Sequence, residues 1–60
     1  MLVRDIQAVY YDELDIYHNL EKLYDGHVAD IPEELLDKKV IELGANFNSG
    51  MEYAWIVVYV

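Results

Sequence analysis

The sequence predicts a small α+β domain in which two short helices accompany a mostly antiparallel four-stranded sheet, in the order α-β-β-α-β-β. Three observations predict it. Helix signals are confined to two short stretches around Ile6 and Leu35, strand-length apolar runs fill most of the remainder, and 60 residues suffice for one core.

Val3, Ile6, Val9 and Tyr10 recur at spacings of three and four, which is a helical stripe, and Asp5 near its start suits the positive end of a helix. The β-formers at the end of Ile6-Gln7-Ala8-Val9-Tyr10-Tyr11 leave a strand as the competing reading for this stretch. Asp12-Glu13 breaks the apolar pattern, and Leu14-Asp15-Ile16-Tyr17-His18 alternates as a half-buried strand does, with Leu14 and Ile16 inward. Asn19-Leu20-Glu21-Lys22 has the length and polarity of a hairpin connection, and Leu23 to Ala29 is a second, weaker strand. That register sets Tyr17 opposite Tyr24 and His27 opposite Leu14. Gly26 within the strand pattern predicts a bulge or a close backbone approach, and with it an irregular strand suited to an edge.

Asp30-Ile31-Pro32-Glu33-Glu34-Leu35-Leu36-Asp37 carries helix-start chemistry: Asp30 as N-cap, Glu33 three residues on, Pro32 in the first turn, and two acids at the positive end. Lys38 and Lys39 suit its negative end, and the β-rich Val40-Ile41-Glu42-Leu43 keeps the helix short. Gly44 to Gly50 holds two Gly, two Asn and a Ser, which predicts a turn between strands. Met51 to Val60 is the final strand, with Tyr53, Trp55, Val57 and Tyr59 on one face and Ala54, Ile56, Val58 and Val60 on the other. Both faces are apolar. Such a strand belongs in the middle of a sheet covered on both sides, and two helices on one side would leave the second face to a helix that crosses over or to another subunit. Self-association through Tyr53, Trp55, Val57 and Tyr59 is therefore expected.

Composition narrows the function classes. With 12 acidic and 4 basic side chains the formal charge is −8, yet 55% of residues are hydrophobic, so the chain is acidic without the composition of a disordered segment. No cysteine is present, which removes disulfides, thiolate metal sites and cysteine nucleophiles, and makes oligomerisation a natural way to add buried area. The start Met1-Leu2-Val3-Arg4-Asp5 lacks an apolar run of signal-peptide length, and Tyr53 to Val60 is too short to cross a bilayer as a helix, so a cytoplasmic protein is expected. Arg4, Lys22, Lys38 and Lys39 are too scattered among carboxylates to bind nucleic acid or an anionic membrane directly. A protein partner remains, and charge favours a basic one.

Gly26-x-x-x-Asp30-Ile31-Pro32 leading into Leu35-Leu36, preceded by Val3-Arg4-Asp5-Ile6 and Tyr24-Asp25 and followed by an apolar final strand, resembles small uncharacterised proteins of bacteriophages and prophages of Gram-positive bacteria. The resemblance spans nearly the whole chain and brings no functional residues with it. It implies a protein made in an infected or lysogenic cell, acting on a host factor.

His18 and His27 with Asp15, Asp25 and Asp30 match no metal-ligand spacing, so no metal and no cofactor is expected. The carboxylates of Asp12-Glu13, Asp15 and Glu33-Glu34 could serve acid-base chemistry only beside a cleft, and no nucleophile order or phosphate loop accompanies them, so the protein is not expected to be an enzyme. Six Tyr and one Trp form a large aromatic set, suited to core packing and to interfaces alike. The candidate partner-binding residues are Asp12, Glu13, Asp15, Tyr17, Tyr24, Asp25, Glu33 and Glu34. Nine of the 12 acids fall between Asp12 and Asp37, which predicts an acidic patch. The function expected is a noncatalytic protein-interaction module of phage or prophage origin. The alternatives are a nucleic-acid mimic that inhibits a host DNA- or RNA-binding protein and a homo-oligomeric accessory protein.

Overall fold

The computed structural model describes all residues, Met1–Val60. Its first element, α1 (Val3–Gln7), follows the three-residue spacing of Val3 and Ile6, both buried, and the Asp5 carboxylate accepts the Leu2 N–H at 2.8 Å to close its first turn. Backbone bonds from Val9 and Tyr10 back to Ile6 carry the helical turn on, so the strand reading of Ile6 to Tyr11 is replaced by a helix and its exit.

β1 (Glu13–His18) buries Leu14 and Ile16 as the alternation requires. It turns into β2 (Glu21–His27) through Asn19-Leu20 alone, with Asn19 at φ 55°, a left-handed conformation Asn tolerates better than most residues. The four-residue connection expected at Asn19 to Lys22 is therefore corrected. Glu21 and Lys22 enter the ladder, Tyr17 pairs with Lys22 instead of Tyr24, and His27 pairs with Glu13 instead of Leu14. The register slips between Ile16 and Tyr17, where Leu23 is the extra residue, so the bulge expected at Gly26 lies three residues earlier. Gly26 answers two other demands. Its φ is +144°, and a Cβ there would meet the Tyr24 hydroxyl at 3.0 Å.

A 3₁₀ turn (Val28–Asp30) leads to α2 (Glu33–Leu36). Asp30 does not cap this helix. Ile31, directly before proline, takes extended angles (φ −58°, ψ 128°), so helical geometry begins only after Pro32, which occupies the N-cap position. Asp37 instead pairs with Arg4 at 2.8 Å, which ties the end of α2 to α1. An isolated bridge between Leu2 and Lys39 holds the same two segments through their backbones.

β3 (Glu42–Asn48) and β4 (Tyr53–Tyr59) form a hairpin. The turn expected over Gly44 to Gly50 contracts to Ser49-Gly50-Met51-Glu52, where Asn48 accepts from Gly50 through its side chain and from Met51 through its carbonyl, and Glu52 sits at φ 52°. Gly44, Ala45 and Asn46 are instead held in the ladder by Val57, Ile56 and Trp55. Pairing with a strongly apolar strand outweighs their turn preference.

The sheet order is β2-β1-β4-β3, with β4 parallel to β1 and the other two pairings antiparallel. The last strand is central, as its two apolar faces require. Val3, Ile6, Val28, Ile31 and Leu35 close over Leu14, Ile16, Val58 and Val60 to make one core on one side of the sheet. No helix of the protein is long and apolar enough to cross a membrane.

Candidate functional site

The other side of the sheet has no helix over it. Strand alternation places Glu13, Asp15 and Tyr17 of β1, Lys22 and Asp25 of β2, and Tyr53, Trp55, Val57 and Tyr59 of β4 on this open face. Parallel pairing sets Asp15 beside Val57 and Tyr17 beside Tyr59. Antiparallel pairing sets Asp25 beside Asp15 and Lys22 beside Tyr17.

The aromatic rings and the carboxylates are bonded to one another in a repeated pattern. The Tyr53 hydroxyl donates to a Glu13 carboxylate oxygen at 2.7 Å, and the Trp55 indole N–H donates to Asp15 at 2.9 Å. Each ring reaches a carboxylate forty positions back in the chain, so the strand register itself generates both bonds. Tyr53 and Trp55 stack with centroids 5.8 Å apart, and Tyr17 and Tyr59 lie 6.0 Å apart at a tilt. Val57, between Asp15 of β1 and Gly44 of β3 in the ladder, is only 6% exposed although it faces away from the helices.

Electrostatics follow from this arrangement. Asp15 and Asp25 are cross-strand neighbours of like charge, an unfavourable pair unless a cation intervenes. Lys22 supplies it: its ammonium lies 3.2 Å from Asp25 and 5.8 Å from the centre of the Tyr17 ring. The hydrogen bond to Asp25, then the charge of Asp15, raise the Lys22 pKa above its ordinary value. The hydrogen bond to Glu13, followed by loss of solvent, pushes the Tyr53 phenol well above its usual range. Burial raises Tyr10 and Tyr24 as well, with nearby carboxylates adding to it.

Between the β1 and β2 side chains and the stacked pair lies a shallow cleft of about 270 Å³ lined by Glu13, Asp15, Lys22, Asp25, Tyr53 and Trp55. Small-molecule sites are enclosed, mostly apolar cavities of roughly 300–1,000 Å³. This cleft lies at the lower end of that range and is open and lined mainly by charged and aromatic side chains.

The structure divides the expected residues. Glu13, Asp15, Tyr17 and Asp25 share one surface with Tyr53, Trp55, Val57 and Tyr59, so half of the partner-binding set coincides with the surface expected for self-association. Asp12 precedes β1 and bonds the Glu13 N–H at 2.8 Å. Glu33 and Glu34 lie on α2, across the sheet from the open face, and Tyr24 alternates onto the helix side with its hydroxyl on the His27 carbonyl at 2.7 Å. The acids between Asp12 and Asp37 are thus divided between the two sides of the sheet and do not form one patch. His18 pairs with Glu21 at one end of the hairpin and His27 with Glu13 at the other. Lys22 was missing from the expected site because its placement depends on the two-residue turn. The positive-φ tolerance of Asn19 was the available signal.

No protein-family model matches the chain, and no curated protein or solved structure matches it either.

Proposed function

We propose that the protein is a noncatalytic interaction module that binds a basic protein partner through the open face of its sheet. The observation that carries this reading is the pair of bonds from Tyr53 to Glu13 and from Trp55 to Asp15, which hold acceptor carboxylates beside exposed ring surface. An arginine side chain suits such a surface, since its guanidinium stacks on aromatic rings and donates in a fork to carboxylates. The three carboxylates outnumber the single ammonium of Lys22, so the face also steers a cation inward. The resemblance to small phage and prophage proteins makes a host or phage protein the expected partner.

Trp55 is the sole tryptophan, so its fluorescence reports directly on this face. Titration with arginine-rich peptides should give a saturable change that weakens as salt rises, because the contacts are largely ionic and exposed. Asp15→Asn should weaken the affinity by about tenfold, the worth of one charge-assisted hydrogen bond at roughly 1.4 kcal/mol. Glu34→Gln on the opposite side should leave it within about twofold. Equal losses at both positions would reduce the binding to net charge and overturn the proposal.

A further inference from the structure

The two edges of the sheet differ in how they are defended. Edge strands expose unpaired backbone groups, and proteins blunt them with charges, bulges and irregular geometry. β2 has all three: Glu21, Lys22 and Asp25, the extra residue at Leu23, and Gly26 at φ +144°. β3 has none of them beyond Glu42 at its first position. It pairs with β4 over seven consecutive residues without a register shift, contains no proline, and every residue from Ile41 to Glu52 is exposed. On its helix side Leu43 is 50% and Phe47 60% exposed, because the helices cover the β2-β1-β4 part of the sheet and stop short of β3.

From this asymmetry we propose that β3 is the site at which a second copy of this chain adds to the sheet, antiparallel and with Ala45 on the two-fold axis. A two-fold axis normal to the sheet keeps both faces continuous only when paired residue numbers have an even sum. Of those registers, the one centred on Ala45 sets Leu43 against Phe47 of the second copy and Phe47 against its Leu43, so both exposed apolar side chains are covered at once. Glu42 then faces Asn48 of the other copy, which keeps the two Glu42 charges at opposite ends of the ladder. For a chain of net charge −8 this mode brings few charges together, since Ile41–Met51 carries a single one, at Glu42.

The area is adequate for a weak dimer. The lower limit of a specific interface, about 600 Å² per partner, is roughly a seventh of the 4187 Å² surface, and the twelve exposed residues Ile41–Glu52 make up a fifth of the chain. Pairing leaves the open face of each copy free and sets two such faces side by side on one eight-stranded sheet.

Sedimentation equilibrium tests this on the intact chain. The wild type should approach twice its 7.0 kDa chain mass as its concentration is raised, with association strengthened by salt as the like charges are screened. Ala45→Lys and Ala45→Glu should each weaken dimerisation at least tenfold, since each sets like charges face to face on the axis. An equimolar mixture of the two should dimerise again, because lysine and glutamate then meet directly. A monomeric wild type, a dimer indifferent to either substitution, or a mixture that stays monomeric would each overturn the proposal. Amide hydrogen exchange on the unmodified chain gives a second readout: protection along Glu42–Asn48 should rise with protein concentration, and protection independent of concentration would overturn it.

Discussion

The last strand, β4, is apolar on both faces, yet its two faces meet different surroundings. On one, Leu14, Ile16 and Val58 are wholly buried under α1 and α2; on the other, from the same strand as Val58, Tyr59 meets water and Trp55 bonds the Asp15 carboxylate. The difference lies in the partners across the sheet. β1 offers Leu14 and Ile16 to the first face and Glu13 and Asp15 to the second, so the same alternation that builds a core on one side builds an acidic aromatic surface on the other. A residue on the covered face should therefore govern stability, and one on the open face should govern binding.

The largest effect is expected at Ile16, which is fully buried. Ile16→Ala should cost about 2–5 kcal/mol, against a total of roughly 3–9 kcal/mol for a domain of this size. Urea unfolding followed by circular dichroism should show a much reduced midpoint. Gly26→Ala comes next, at about 1–3 kcal/mol, because alanine resists the positive φ and its methyl group would meet the Tyr24 hydroxyl at 3.0 Å. On the open face, Trp55→Phe removes the donor to Asp15 at a half-exposed site, so the same unfolding experiment should shift by under about 1 kcal/mol. Its affinity for an arginine-rich peptide should nonetheless fall by about tenfold. A loss of stability at Trp55 as large as that at Ile16 would erase the distinction between the faces.

The smallest effect concerns protons. The bond to Glu13 raises the Tyr53 pKa above its ordinary value of 10.0, so the fold favours the neutral phenol. The stability that this gives is present below that value and is lost as pH rises through the higher folded pKa. Phenolate absorbance should show a tyrosine that ionises late, and Glu13→Gln should bring it earlier. Unchanged titration in that variant would mean that the Tyr53–Glu13 bond does not hold in solution.

Much of the fold was legible because it rests on local pattern. The alternation at Leu14 and Ile16, the short helices and the two-faced final strand all follow from neighbouring residues. The rest depends on contacts far apart in sequence. Gly44-Ala45-Asn46 carries turn residues, and only pairing with β4 makes it strand; Asp30 has capping chemistry, and only the extended Ile31 before Pro32 takes it out of position. The site suffered similarly. Glu13, Asp15, Tyr17 and Asp25 were recognisable as acidic and aromatic, but their union with Tyr53 and Trp55 arises from the parallel β1–β4 pairing, a long-range register that spacing along the chain does not encode.

The basic partner proposed above docks on the open face and not on the helix side. The most direct measurement is an amide and indole N–H chemical-shift map of the intact protein titrated with an arginine-rich peptide. The shifts should concentrate at Glu13–Tyr17, at Lys22 and Asp25, and at Tyr53–Tyr59, with the Trp55 indole N–H among the largest. Shifts centred on Glu33–Asp37 of the helix side, with the Trp55 indole unmoved, would contradict the account.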